Sequence, residues 1–197
     1  GAVRLLELGS GRGRLALQAF LQFPGLREVV GVELVQSRHE VAVAALRRLA
    51  AASPGRWRLE ASAEAVSLSE GEEGSGRRLQ LRQGDFSELP AGLLEGSDAV
   101  LLEVVLRHGP EAKAPHARLL GLLAERCRQG CVLAAYEDLL SLWEAELPGA
   151  PSCPFRRLGL CGTGFCTSWS DEGHNFHGFA FDREGGSSQR AEQASGG

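Results

Sequence analysis

The sequence predicts an α/β fold with a mostly parallel seven-stranded sheet that ends in an antiparallel hairpin. Three observations support this prediction. Short apolar runs alternate with segments of helical periodicity along most of the 197 residues. Helices between successive strands require the right-handed crossovers of a parallel sheet. The last two apolar runs follow one another directly, as in a hairpin.

The predicted strands are short runs rich in Val, Leu and aromatic residues, at 3–8, 29–33, 78–82, 98–105, 131–136, 156–167 and 174–182. Helices are predicted at 15–21, 37–50, 112–128 and 137–146. In the second helix, Ser37 and Glu40 have the spacing of a capping box. Its periodicity predicts an inward face made of Val41, Ala44, Ala45 and Leu49.

Two segments depart from this alternation. Residues 51–76 are rich in Ala, Ser, Gly and Glu, and we expect a solvated, flexible insertion there. Residues 184–197 form a Gly/Ser/Gln tail that we expect to be disordered. The rest of 1–183 is predicted to be one globular core. Because the chain starts on an apolar strand right after Gly1, we expect a fragment that lacks an upstream part.

Net charge and cysteine content limit the classes of function. The formal net charge is −4 and the pI is about 5.8, so no strong general attraction to nucleic acid is expected. Five cysteines without framework spacing are typical of a reducing, intracellular compartment. No stretch approaches the roughly 20 apolar residues of a membrane span. We expect a monomer with no membrane partner.

A glycine-rich segment follows the first predicted strand. Gly9, Gly11 and Gly13, with Ser10 among them, lie where the strand must turn sharply into a helix. Glycines there let the backbone approach a ligand closely. Glu33 ends the second strand twenty residues after Gly13, where an acid can accept hydrogen bonds from both hydroxyls of a ribose. Together they predict a site for an adenosine-containing cofactor.

Two details favour S-adenosylmethionine over a dinucleotide. The loop reads Gly-x-Gly-x-Gly and lacks the third glycine at the dinucleotide spacing. Glu7 lies just before the loop, where its carboxylate suits the cationic methionine end of the cofactor better than an anionic pyrophosphate. The predicted fold class is therefore a Rossmann-like class I methyltransferase.

A third feature, Gly84-Asp85-Phe86, follows the third predicted strand of the sheet. An aspartate there can accept the adenine amino proton while the aromatic ring covers the face of the base. Ligands of open α/β sheets bind beyond the carboxyl ends of the strands, so we expect the three features to converge.

Other kinds of site fit less well. Many amino-methylating nucleic-acid enzymes carry Asn/Asp-Pro-Pro-aromatic at the fourth strand, whereas residues 101–106 read Leu-Leu-Glu-Val-Val-Leu. We expect the cysteines to be structural. No C-x-x-C pair anchors a zinc site, and no metal is expected.

The carboxyl-terminal segment resembles the end of the catalytic domain in the disruptor-of-telomeric-silencing family, the non-SET histone-lysine methyltransferases. In that family a Ser-Trp pair precedes an aromatic-rich strand that ends in Asp-Arg. Here Ser168-Trp169 and Asp182-Arg183 have the matching separation, and Phe176 stands at a family aromatic position. The glycine loop, Glu33, the segment 82–86 and the tripeptide 109–111 agree as well. The resemblance spans residues 3–183 apart from the insertion.

The resemblance implies an S-adenosylmethionine-dependent methyltransferase that acts on a histone lysine, with a protein or nucleosome substrate and a nuclear location. It implies that Trp169 and Phe176 wall the channel through which the lysine reaches the methyl group, since aromatic rings desolvate and attract an ammonium. The cofactor-binding residues would be Glu7, Gly9, Ser10, Gly11, Gly13, Glu33, Asp85 and Phe86.

Several features differ from the family pattern. Val104 and Val105 replace an Asn pair, one member of which faces the channel. The neighbouring Glu103, the remaining catalytic candidate, would supply a polar group there only if the strand register shifted. Phe176 stands where the family has Tyr. We expect the upstream helical lid to be missing from this chain.

Two alternatives to a lysine methyltransferase therefore stay open. One is a methyltransferase for RNA or a small molecule that shares the core. The other is a catalytically degenerate domain that binds cofactor or a partner without turnover, which Val104 and Val105 favour.

Overall fold

The computed structural model describes residues 3–71, 76–102, 113–165 and 174–183. The chain forms two compact units, the first ending at Glu103 and the second beginning at Val104. Among the described residues, no helix is both long enough and apolar enough to cross a membrane.

The first unit is an open sheet with helices between its strands. Its described elements are β1 (Val3–Leu8), α1 (Arg14–Gln22), β2 (Leu26–Glu33), α2 (Gln36–Ala52), β3 (Trp57–Ala61), β4 (Ala65–Glu70), β5 (Arg77–Gln83) and β6 (Ala99–Leu102). The strand order is β3-β4-β5-β2-β1-β6. β5, β2, β1 and β6 are parallel, while β3 and β4 pair antiparallel. The chain runs outward from β1 in one direction and then returns to add β6 on its other side. β1 is therefore the switch point where such sheets bind ligands.

A buried apolar cluster holds α1 and α2 against this sheet. Ala16 and Phe20 of α1, and Val43 and Leu46 of α2, pack with the inner residues of β2, β4 and β5. β2 carries the consecutive buried residues Val29 to Glu33, whereas β5 alternates buried Leu79 and Leu81 with polar residues. This packing fixes the positions of the carboxyl ends of β1, β2 and β5.

The start of α2 differs from the prediction. The helix begins at Gln36, its cap residue is Val35, and no side chain caps it, so the capping box at Ser37 and Glu40 is wrong. The Val35 N–H instead donates to the Glu33 carboxylate. That bond fixes the turn out of β2 and sets where the helix begins.

The buried face of α2 is also rotated from the predicted one. Ala42, Val43 and Leu46 are its buried residues, whereas Val41 is 45% exposed. The sequence permits both faces, because the helix is rich in alanine and valine all round. The close approach of Gly13 to Ala42 selects the observed face.

Residues 51–76 form more structure than the predicted flexible insertion. β3 and β4 form an antiparallel hairpin, and β4 continues the sheet by pairing with β5. Trp57 and Leu68 are buried in the core of the unit. Residues 72–75 lie outside the described part of the chain.

The second unit contains α3 (Lys113–Arg126), β7 (Val132–Ala135), α4 (Leu139–Glu146), β8 (Phe155–Phe165) and β9 (His174–Phe181). Its strands pair antiparallel in the order β7-β9-β8, which confirms the predicted closing hairpin. Phe155, Phe179 and Phe181 are buried. All seven predicted strands are present, although residues 103–105 of the fourth and 166–167 of the sixth lie outside the described residues.

Candidate functional site

The glycine loop between β1 and α1 is held against the end of β2. Gly9, Gly11 and Gly13 have φ values of 81°, 54° and 71°, in the left-handed region that glycine adopts without strain. The N–H groups of Gly9 and Ser10 both donate to the Val32 carbonyl, at 2.9 Å. The loop therefore folds back over the neighbouring strand at the switch point.

Glu33 joins the loop to two further segments. Its Oε2 accepts from the Gly11 N–H at 2.7 Å, and its Oε1 accepts from the Val35 N–H at 2.8 Å. Its backbone carbonyl accepts from the Gly84 N–H at 3.0 Å. Glu33 is buried. The glycine loop, the acid that ends β2 and the Gly-Asp-Phe turn therefore meet at one residue, as the sequence predicts.

Glu7 is fully buried beneath this loop. In the sheet it pairs with Gly31 of β2, so the two residues share a face. A Cβ at Gly31 would lie 3.0 Å from the Ser10 Cβ, so any side chain there would displace the loop. The absence of that side chain lets buried Ser10 pack between the two strands.

Gly13 contributes to packing. A Cβ at Gly13 would lie 2.8 Å from the Ala42 Cβ, closer than side-chain carbons approach. The glycine therefore lets the start of α1 lie directly on α2. The structure gives no independent sign that Gly13 contacts a ligand.

The turn after β5 is shaped by Asp85. Its Oδ1 accepts from the Ser87 N–H at 2.8 Å and caps a single turn of 3-10 helix at Phe86–Glu88. Phe86 is half-buried.

Three residues beside Glu33 were missed by the sequence interpretation. Leu34 and Val35 are 62% and 42% exposed although both are apolar, so they offer an uncovered apolar surface at the end of β2. His39, in the first turns of α2, is half-buried. Burial lowers the pKa of His39, and the negative charges of Glu33 and Glu40 oppose that shift. The sequence did contain a signal for this surface, because two apolar residues immediately follow the acid that ends β2.

The catalytic candidates are only partly within the described structure. Glu103 and Trp169 lie outside the described residues, as do Val104 and Val105. Phe176 on β9 is half-buried, and its ring centroid lies 4.0 Å from that of Tyr136, the single tyrosine of the chain. The sequence interpretation missed Tyr136, which brings a phenol ring against the position where the resembling family has its own tyrosine.

Among the described residues, no three His, Cys, Asp or Glu side chains form a group that could hold a metal ion. The chain matches no protein-family profile and no curated protein sequence.

Comparison with solved structures identifies the fold. TrmN from Thermus thermophilus superimposes with a TM-score of 0.58 and 17% identity, over 91% of this chain and 44% of that one. A methyltransferase from Pyrococcus furiosus gives 0.55 and 14%, over 92% and 76%. TrmK of M. capricolum, solved with S-adenosylhomocysteine, gives 0.53 and 10%, over 93% and 64%. The chain thus spans less than two thirds of the TrmK and TrmN chains.

At such low identity these likenesses show the fold alone. The chain has the α/β Rossmann-like methyltransferase fold with a mixed sheet, which confirms the predicted fold class.

Proposed function

We propose that this chain is an S-adenosylmethionine-dependent methyltransferase. The observation that carries the proposal is the junction at Glu33. Its carboxylate binds the glycine loop and its carbonyl binds the turn that presents Asp85 and Phe86. These bonds hold together the acid proposed to bind the ribose, the glycine loop, and the turn proposed to bind the adenine. All three lie at the switch point of the sheet.

The residues present fit this cofactor. Each Glu33 carboxylate oxygen accepts one backbone N–H and keeps a second lone pair, so both can accept from ribose hydroxyls. Asp85 and Phe86 would bind the adenine edge and face, with the exposed side chain of Leu34 on the same end of the sheet. Glu7 places a buried carboxyl group at the end of β1, which would pair with the cationic methionine end of the cofactor.

The bound cofactor supplies an electrophilic methyl group on a sulfonium. The chain itself would align the reacting groups and exclude water from them. Backbone hydrogen bonds hold the loop before any ligand arrives, so little ordering remains to be done on binding. Methyl transfer to a neutral nucleophile needs alignment and exclusion of water more than a strong base.

The acceptor is a further proposal. The family resemblance favours a lysine side chain in a histone, with a nuclear location. The contact between the tilted rings of Tyr136 and Phe176 supports it, since aromatic faces attract and desolvate an ammonium. The family resemblance assigns Trp169, which lies outside the described residues, to the same channel.

One observation favours the alternative, an RNA acceptor. Exposed arginines lie in and beside the glycine loop, and a cationic surface there repels a basic histone segment while it attracts phosphate groups. The fold neighbours TrmN and TrmK are compatible with it but carry no acceptor argument at their identity.

Two measurements test the proposed function. Isothermal titration with S-adenosylhomocysteine should give one binding site per chain, and its failure would contradict the cofactor assignment. With binding established, transfer from methyl-labelled cofactor is measured on nucleosomes, free histones and RNA. Label on histone lysine supports the family resemblance, and label in RNA alone excludes it. Cofactor binding with no transfer to any acceptor would identify the catalytically degenerate domain.

A further inference from the structure

Three arginines form a charged surface beside the candidate cofactor site. Arg12 lies within the glycine loop, Arg14 opens α1, and Arg38 is in the first turn of α2. All three side chains are exposed. Within the described part of the chain, none of them has an ion pair or a hydrogen-bonded side chain. We name these three residues the arginine rim.

Packing of the two helices brings the rim together. The close approach of Gly13 to Ala42 places the start of α1 against α2. Arg38 precedes Ala42 by four residues, which is one helical turn, so it lies nearer the loop on α2. Arg12 and Arg14 flank Gly13 itself. The three charges therefore lie at the same end of the sheet as Glu33.

Local charge at this end differs from the charge of the whole chain. Residues 3–56 contain eight arginines and four glutamates, although the chain as a whole carries −4, and of these arginines Arg12, Arg14 and Arg38 lie at the rim. Two of those glutamates, Glu7 and Glu33, are buried, and Glu28 forms an ion pair with Arg4. Glu40 is exposed beside the rim, and half-buried Asp85 and exposed Glu88 lie after the neighbouring β5, so the cations of the rim are partly compensated.

We propose that the arginine rim binds the phosphate backbone of single-stranded RNA and brings a nucleotide to the methyl donor. The proposal rests on the proposed methyltransferase function and names its acceptor class. Guanidinium groups match phosphate oxygens in a two-pronged geometry, whereas a basic histone segment would be repelled. A single strand is favoured because enzymes that modify bases act on bases outside a duplex, and cells present single strands mainly as RNA.

This proposal departs from the expectation drawn from net charge. That expectation treats all charges alike, while binding depends on cations that are exposed, unpaired and close together. Ion pairs at the β3–β4 hairpin, such as Arg56 with Glu70, are internally neutralised and add nothing to attraction at a distance.

The test compares two double variants of the full chain. Arg14→Ala/Arg38→Ala removes two rim charges, and the control Arg27→Ala/Arg47→Ala removes two exposed arginines at the opposite end of β2 and late in α2. Binding of a labelled single-stranded RNA is measured by fluorescence anisotropy over a salt series. We expect the rim variant to lose about tenfold or more in affinity at low salt, with a salt slope shallower by about 1.4. The control should stay close to wild type.

Competing outcomes are distinguishable. Equal losses in the two variants, or no RNA binding by the wild type, would overturn the proposal. Tighter binding of single-stranded DNA or of a poly-glutamate peptide than of RNA would assign the rim to another polyanion and also overturn it. Titration with S-adenosylhomocysteine is run on both variants. Retained cofactor binding with absent RNA binding contradicts only this inference, while lost cofactor binding in wild type contradicts the proposed function.

Discussion

The two units of this chain differ in what fixes their candidate sites. In the first unit the backbone does so, through N–H groups of Gly11, Val35 and Gly84 that all donate to Glu33. In the second unit the candidate site depends on side chains, namely the ring of Phe176 against that of Tyr136. Backbone geometry survives extensive sequence change, and the fold that carries the first site is shared with solved structures at 10–17% identity. An acceptor site made of individual side chains gives no such general signal.

The largest expected effect tests how tightly the first unit is built. Gly13→Ala places a Cβ 2.8 Å from the Ala42 Cβ at a positive φ, so the free energy of unfolding should fall by about 2–5 kcal/mol. The matched control is Gly55→Ala, which has a similar φ and no neighbour within 4 Å. It should cost only about 1–2 kcal/mol. Urea unfolding measures both, and equal losses would mean that α1 does not lie on α2 as described.

The next effect tests the junction as a ligand site. Glu33→Ala removes the acceptor of two backbone N–H groups and of the ribose hydroxyls. Binding of S-adenosylhomocysteine should weaken by about 1–3 kcal/mol, the usual cost of stranding buried partners. Glu40→Ala, a nearby exposed glutamate on α2, is the control and should bind as wild type does. Calorimetry measures these affinities. Unchanged affinity in Glu33→Ala would show that the Glu33 junction does not bind the cofactor.

A smaller effect measures the side-chain site of the second unit. A double-mutant cycle of Tyr136→Ala and Phe176→Ala should give a coupling energy of about 0.5–1.5 kcal/mol in unfolding, as for other close aromatic pairs. The pair lies 4.0 Å apart between centroids. The same variants should retain cofactor affinity and lose methyl transfer. A coupling energy near zero would show that the rings do not pack in solution.

The smallest effect concerns His39. Burial lowers its pKa from the ordinary 6.5, against the opposing influence of Glu33 and Glu40. As pH falls through 6.5, the unfolded chain takes up a proton on His39 before the folded chain does. The free energy of unfolding therefore keeps its full value above that pH and decreases below it. His39→Gln should therefore lose less stability than wild type between neutral and mildly acidic pH. Urea unfolding on both sides of that pH provides the comparison, and a steeper acid loss in the variant would contradict the burial of His39.

In the first unit the sequence predicted the features at the strand ends, but it did not predict the start of α2, the face that α2 buries or the β3–β4 hairpin. Gly9, Gly11 and Glu33 could be picked out from the sequence because sharp glycine turns and ligand-facing acids occur at the strand ends of such sheets. The β3–β4 hairpin was not predicted because of the amino-acid composition around it. Trp57 and Leu59 alternate with Arg58 and Glu60, a strand pattern obscured by the Ser, Gly and Glu residues around it.

What could not be predicted depends on packing between distant residues. The face that α2 buries was set by the contact with Gly13, which no local periodicity contains. Tyr136 and Phe176 are forty residues apart in the chain and meet only because β7 pairs with β9. The arginine rim likewise becomes visible only when exposure and ion pairing are known for each arginine.

A crystal structure of this chain with S-adenosylhomocysteine tests the central claim most directly. We expect the ribose hydroxyls within hydrogen-bond distance of the Glu33 carboxylate and the adenine beside Asp85 and Phe86. A ligand bound away from the Glu33 junction would contradict the account.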